Sequence, residues 1–376
     1  MSDNTVIIAG AGIAGLALAC AIRRQAPDIA VTIIERASTL ARPRIGESLP
    51  GAARILLQNL GILQAFLASQ PHERGAAVAT WDDDTPAWQD SLHDPNGPGW
   101  HIDRSAFEQL FVSRARHLGV HLALGTTIQH IQPPQTTNAP WRIETQRNTY
   151  TAHWLIDATG VKAALSQKLQ VKQHQHNPLV CAHAFWATDS NNKDHCTRIA
   201  ADAHGWWYSV CTPQNQRVLA FHCDADAAIR QTLKDPAALL HHARQSTLLA
   251  PVIPPNPSIQ GVQFRAAGSR WLSALNTPFH LAHPEAHLFP PRFLAVGDAL
   301  LAFDPIASQG IFHALASTAS AARTITGQQS PKAFLQEMSA VKNRYLKHWQ
   351  LTYQGAAARF DSPFWQRRCR VNEAVC

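Results

Sequence analysis

The sequence predicts an α/β protein: a Rossmann-type parallel-sheet domain, an antiparallel sheet domain interleaved with it, and a helical segment at the C-terminus. Three observations predict it. A Val/Ile run, Thr5 to Ala9, passes through Gly10, Gly12 and Gly15 into an apolar helix. Two later apolar runs also end at glycine turns, Asp157-Ala158-Thr159-Gly160 and Gly297-Asp298. Segments rich in Val, Trp, Tyr and Phe between 179 and 222 read as further strands, and an amphipathic tail begins at Ser330.

The first element is a βαβ unit. Thr5 to Ala9 reads as a buried strand, Leu16 to Arg24 as a helix, and Ile29 to Ile34 as a second strand ending at Glu35. The linker Gly10-Ala11-Gly12-Ile13-Ala14-Gly15 is G-x-G-x-x-G in the context that makes it a Rossmann-type dinucleotide site. Gly10 permits the tight turn, Gly12 the approach of a pyrophosphate, and Gly15 the close packing of helix on strand. The helix N-terminus offers free N–H groups to the phosphates. Glu35, twenty residues beyond Gly15, is placed for a ribose diol. The motif alone does not separate NAD from FAD.

Three later segments point to FAD. Arg44 to Gly51, with Glu47 and Ser48, is a loop entering a helix from Ala52 to Leu60. The strand from His153 ends in Asp157 to Gly160, where a second crossing supports the dinucleotide. Phe293 to Val296 delivers Gly297 and Asp298, the latter an acceptor for a ribityl hydroxyl. Pro305 then starts a rigid loop, and Ser308, Gln309, Gly310 and Ile311 open a helix to about Thr324. Its amides would stabilise negative charge on a reduced flavin.

Composition excludes several classes. Of 376 residues, 16% are charged and 45% hydrophobic, which excludes a disordered chain. Lys and Arg number 33 against 26 Asp and Glu, a net +7, but they are scattered, so no nucleic-acid partner is expected. The seven cysteines show no Cys-x-x-Cys spacing, which argues against zinc or a disulfide framework and for a cytoplasmic protein. The twenty histidines form no recognised metal motif, so no metal is expected. Val6 to Ile22 is apolar but lacks a basic leader before it, so no export signal or membrane association is expected.

From Val6 to about Arg368 the chain resembles the FAD-dependent monooxygenases of the aromatic-hydroxylase fold, including the flavin-dependent tryptophan halogenases. It is most similar to the LodB/GoxB-type flavoproteins, which mature cysteine-tryptophylquinone amino-acid oxidases. The resemblance rests on Gly46 to Pro50, Asn96 to Arg104, Gly205 to Ser209, Asp304 to Ile311 and Phe364 to Arg368. It implies cofactor contacts at Gly10, Gly12, Ile13, Ala14, Gly15, Glu35, Arg36, Arg44, Glu47, Ser48, Arg104, Asp157, Gly160, Gly297, Asp298, Pro305, Ser308, Gln309, Gly310 and Ile311. Arg104 resembles an arginine near the diphosphate.

The halogenase pattern is broken in three places. Glu73, followed by Arg74, stands where halogenases carry a lysine, Trp206 to Cys211 lacks the second Trp and the Pro of W-x-W-x-I-P, and Ala307-Ser308 replaces Glu-Ser. The resemblance therefore implies hydroxylation of an aromatic ring through a flavin C4a-hydroperoxide. It further implies FAD, O₂ and an external reductant (NADH, NADPH or a reduced flavin). The implied substrate is a tryptophan of a partner oxidase precursor. A free aromatic metabolite and a non-catalytic chaperone role stay open, as does the oligomeric state. No catalytic residue is identified; Trp81, Trp206, Trp207 and Tyr208 are the candidate pocket walls.

The division expected is 1–76, 103–165 and 272–330 for the FAD-binding domain, 77–102 and 166–271 for an antiparallel substrate domain, and 331–376 for C-terminal helices. Helices are expected at Ser105 to Leu118, Ala237 to Leu248 and Ala333 to Tyr353. Strands are expected at Leu179 to Thr188, Thr197 to Ala203, Gly205 to Cys211 and Val218 to His222. Four prolines from Pro251 to Pro257 forbid a helix or a central strand there, and Leu275 to Pro291 reads as irregular.

Overall fold

Thr5–Ala9 is central because its side chains are apolar on both faces, which suits a strand covered on both sides. It pairs in parallel with Ala30–Ile34 and with Trp154–Asp157. Phe293–Ala295 and His121–Ala123 complete a five-stranded, all-parallel sheet. The computed structural model describes residues 4–40, 45, 48–136, 139–189, 191–276 and 289–369. Helix Ile13–Gln25 packs between helices Gly310–Ile325 and Arg104–His117, and all three share one core with the parallel sheet. A three-stranded antiparallel sheet, Ile128–Gln132, Trp141–Thr145 and Thr149–Ala152, joins that core through Trp141, whose ring lies 6.0 Å from Phe293.

The second large sheet has seven strands, in the order Gln263–Ala266, Leu179–Ala187, Gln216–Asp224, Gly205–Thr212, Thr197–Asp202, Ala76–Thr80 and Ala87–Asp90. It is antiparallel except where Thr197–Ala200 runs parallel to Ala77–Thr80. Its period of two sorts the side chains into two faces. Trp207, Phe221, Leu219 and Trp186 pack against Leu239, Leu240 and Ala243 of helix Pro236–Ala243. Trp206, Tyr208, Val218, Ala220 and His222 face the other way, towards the parallel-sheet layer.

The C-terminal helix, Pro331–Ala357, is about 40 Å long at 1.5 Å per residue. Ser330 caps it, accepting from Ala333 N at 3.1 Å, and Pro331 takes the first turn, where its missing N–H costs nothing. Phe334, Leu335 and Met338 reach the parallel-sheet core. Further along, Tyr345, Trp349 and Tyr353 pack with Trp206, Leu179 and Trp365 of the second layer. One helix thus fastens both layers. A short helix, Pro363–Cys369, closes the described chain, and its Arg368 donates to Asp224 at 2.8 Å.

Most elements lie within two or three residues of expectation. The first helix begins at Ile13, three residues early, because Gly15 can enter the helix while touching the Gly10 carbonyl. The helix expected to run to Leu248 stops at Ala243. Arg244 then donates to the carbonyls of Pro254 and Pro255, both at 2.7 Å, and draws the proline-rich loop back over the helix end. Residues 277–288 of the irregular segment lie outside the described residues. Among the described residues, no helix is long and apolar enough to cross a membrane.

Candidate functional site

The three glycines do different work. Gly10 has φ +104°, and a Cβ there would lie 2.4 Å from the Ala158 carbonyl. A Cβ on Gly15 would lie 2.0 Å from the Gly10 carbonyl. Both positions exclude side chains to let turn, helix and strand touch. A Cβ on Gly12 would meet nothing within 4 Å. It faces a cavity of about 740 Å³, a size typical of small-ligand sites. Gly12 caps helix Ile13–Gln25, so unpaired amides and the positive dipole end point where Gly12 leaves room. That is the fit an FAD pyrophosphate requires. Ile13 and Ala14 line the same wall.

Glu35 and Arg36 border the cavity at the end of the second strand. The Glu35 carboxylate accepts from Ala11 N at 2.9 Å and Ala37 N at 2.8 Å, tying the glycine turn to the strand end. Arg104 opens helix Arg104–His117 and lines the cavity, with Nε 2.8 Å from Glu108 Oε1. Ser48 lines it too, its Oγ 3.1 Å from Tyr208 Oη. Arg44 and Glu47 lie outside the described residues.

Asp157 corrects its expected role. Its carboxylate is fully buried and accepts from Thr159 N and Oγ1 and from Ser166 N and Oγ, at 2.6–3.0 Å. It shapes the turn, and Gly160 with its neighbours borders the cavity instead. Gly15 and Gly297 are also not in the wall. Gly297 has φ +56°, and a Cβ there would crowd Ala14 Cβ at 2.7 Å, so it seats the turn against the first helix. Asp298 does face the cavity. Burial raises its carboxyl pKa, while the Arg265 and Arg104 guanidinium groups pull it down. Pro305 lies in the turn Pro305–Ala307, Ser308 adopts φ +50°, and Gly310 starts the next helix. Pro305, Ser308, Gln309, Gly310 and Ile311 all line the cavity.

Two of the four aromatic candidates belong to the wall. Trp206 and Tyr208 line it, with Trp206 stacked on His222 at 3.7 Å and 10°. Trp207 does not, because its strand neighbour Trp206 takes the cavity face; its ring lies 4.5 Å from Phe221 in the opposite core. Trp81 does not either. Its Nε1 donates to Thr352 O at 2.7 Å, and its ring packs 5.5 Å from Trp365 under the C-terminal helices. His222, Arg265 and Arg270, which the motifs did not single out, line the cavity as well, as do Phe303 and Asp304 at the start of the flavin-side segment. Only the alternation of Val218, Ala220 and His222 opposite Trp206 would have signalled one of them.

Burial pushes His101 and His222 down to about 3, and His176, His183 and His313 to about 4. These rings stay neutral in the fold, whereas in the unfolded chain they gain protons near the ordinary value of 6.5. Their contribution to stability is complete above that value and is lost as pH falls towards 4 and then 3. Thermal melts should therefore give a flat Tm from about pH 8 to 7 and a progressive fall below about 6.5. A Tm unchanged down to about pH 4.5 would contradict the neutral assignment.

A model of the FAD-binding domain family matches residues 3–274. The chain belongs to that family. This FAD-binding protein is a flavin-dependent oxidoreductase. It is 23% identical over 378 aligned positions to the FAD-dependent oxidoreductase LodB of Marinomonas mediterranea, covering 98% of this chain and 97% of LodB. It is 22% identical to the flavin-dependent halogenase armH5 of Armillaria mellea, over 86% of this chain but 64% of that enzyme. Two solved structures share the fold. The flavin-dependent halogenase CmlS superposes with a TM-score of 0.81 at 20% identity, over 99% of this chain and 68% of CmlS. QhpG, a peptidyl tryptophan dihydroxylase essential for tryptophylquinone cofactor biogenesis, gives 0.73 at 18% identity, over 98% of this chain and 79% of QhpG.

Proposed function

We propose that this protein is an FAD-dependent monooxygenase that hydroxylates a tryptophan side chain of a partner amino-acid oxidase precursor. The observation that carries the reading is the end-to-end match with LodB, 98% of one chain against 97% of the other. The halogenase armH5 matches over only 64% of its own length. Glu73 and Arg74, where the halogenase pattern has its lysine, do not line the cavity, and Ala307 offers no carboxylate beside Ser308.

The residues present suit the cofactor. Gly12 and the amides after it would hold the diphosphate, Glu35 the adenosine ribose, and Asp298 the ribityl chain. The loop from Pro305 to Ile311 would hold the isoalloxazine. The chemistry FAD supplies when bound is activation of O₂ by two reducing electrons, so that one oxygen atom enters the ring and the other leaves as water. The electrons come from NADH, NADPH or a reduced flavin. Trp206, Tyr208 and Phe303 form an aromatic wall that orients a flat substrate ring and excludes water. An indole is electron-rich enough to attack without prior deprotonation, so no dedicated acid–base pair is required. His222, neutral down to about pH 3, acts here as a stacking surface rather than a proton donor.

A second reading, a free aromatic metabolite as substrate, is favoured only by the small-ligand size of the cavity. Co-expression with an oxidase precursor, followed by peptide mass spectrometry, separates the two. The proposal expects oxygen mass on a tryptophan-containing peptide only when this chain is present. An unmodified precursor alongside hydroxylated free indoles would favour the metabolite. A precursor bound tightly but unchanged would indicate a chaperone.

A further inference from the structure

We propose that Asp304 is a positioning residue that sets two walls of the site at once: the turn that meets the flavin and the aromatic wall that meets the substrate ring. This rests on the reading that the Pro305 to Ile311 loop faces bound FAD. The Asp304 carboxylate is fully buried. Its Oδ2 accepts three side-chain hydrogen bonds, from Trp349 Nε1 at 3.0 Å, Tyr353 Oη at 3.0 Å and Asn177 Nδ2 at 3.1 Å. Its Oδ1 accepts from Ile306 N at 3.1 Å, which folds the turn leading to Ser308 and Gly310. Its own backbone N–H donates to Tyr345 Oη at 3.0 Å.

The connections reach the substrate side in one further step. Tyr353 Oη also accepts from Trp206 Nε1 at 2.9 Å. Trp206 is the cavity-facing indole stacked on His222. Asn177, in turn, accepts through Oδ1 from Ser269 N and Oγ at 2.9 and 3.0 Å, next to the wall residue Gly268. Four separate segments therefore converge on one carboxylate: the flavin-side turn, the C-terminal helix, the Asn177–Ser269 corner and, through Tyr353, the seven-stranded sheet. Packing alone would fasten the helix. The convergence of donors fixes the register of Trp206 against Ser308 to Gly310, and an error of about 1 Å between reacting partners can cost about 100-fold in rate.

An amide cannot replace this group. It has one acceptor head and one donor head, so either orientation sets an N–H against at least one N–H or O–H now aimed at the carboxylate. Asp304→Asn tests the junction, and Tyr353→Phe removes only the hydroxyl that links it to Trp206. Lys342→Met is the control: Lys342 anchors the same helix elsewhere, donating to Leu275 O at 2.7 Å and Asn276 Oδ1 at 2.9 Å. The holoproteins are compared by visible circular dichroism of bound FAD, by Tm, and by oxygenated product per reductant consumed.

Asp304→Asn and Tyr353→Phe are expected to retain FAD, to change the dichroic bands of the flavin, and to lower product per reductant by about tenfold. Lys342→Met should lower Tm and leave the bands alone. If Tyr353→Phe loses Tm as the control does but keeps wild-type bands and product yield, the network is only scaffolding and the proposal is overturned. The dichroism needs no substrate. Altered bands in a protein whose wild type oxygenates no aromatic ring would therefore support the junction and sink the monooxygenase reading alone.

Discussion

Gly12→Val is expected to weaken FAD binding by about 100-fold or more while leaving the cofactor-free protein as stable as wild type. A Cβ at Gly12 meets no protein atom within 4 Å, so the folded chain has room for the side chain. The room is the cavity itself, beside the amides of the first helix turn. A valine there would hold a diphosphate away from those amides, and charge-assisted hydrogen bonds of about 1.5–3 kcal/mol each would be lost. Losing two corresponds to a fall in affinity of about 100-fold or more. Gly15→Val should behave in the opposite way. Its Cβ would sit 2.0 Å from the Gly10 carbonyl, so the fold itself must yield. FAD titration and melts of the cofactor-free proteins check both. Wild-type affinity in Gly12→Val would place the phosphates somewhere else.

Arg368→Met should cost about 3 kcal/mol of stability, the lower end of the range for breaking a buried ion pair. Arg368 is 2% exposed and Asp224 4%, and their charged atoms are 2.8 Å apart. The guanidinium also donates to Phe364 O at 2.8 Å and lies 3.6 Å from the Phe364 ring centroid. Methionine keeps volume but leaves Asp224 buried with one partner, Arg367, at 3.0 Å. That residual partner is why the lower end applies. Arg367 is 46% exposed, and Arg367→Met should cost less than about 1 kcal/mol. Denaturant melts of the two variants give the comparison; equal and small losses would contradict the buried-pair assignment.

The glycine turn was legible because its constraints are local: positive φ and close approach act on the residues that bear them. The same holds for the turn at Gly297 and the loop from Pro305 to Ile311. Asp157 shows the limit of motif reading. A carboxylate at the right strand end can serve its own turn, and only the Thr159 and Ser166 donors reveal that. Trp206 and Trp207 cannot both be walls, because adjacent strand residues face opposite ways. Asp304 is legible as the residue that opens the flavin-side loop, but its role as a junction is not, since its indole and phenol donors lie 45 and 49 residues downstream on a separate helix. Arg368 and Asp224, 144 residues apart, are likewise a product of tertiary packing.

The most direct test is to supply the purified, FAD-loaded protein with reductant, heavy-isotope dioxygen and an oxidase precursor, and to sequence the precursor by mass spectrometry. Monooxygenation predicts the heavy label on a tryptophan ring, with reductant consumed in proportion. A tryptophan that stays unlabelled while reductant is consumed, or one that acquires halogen when halide is added, would contradict it.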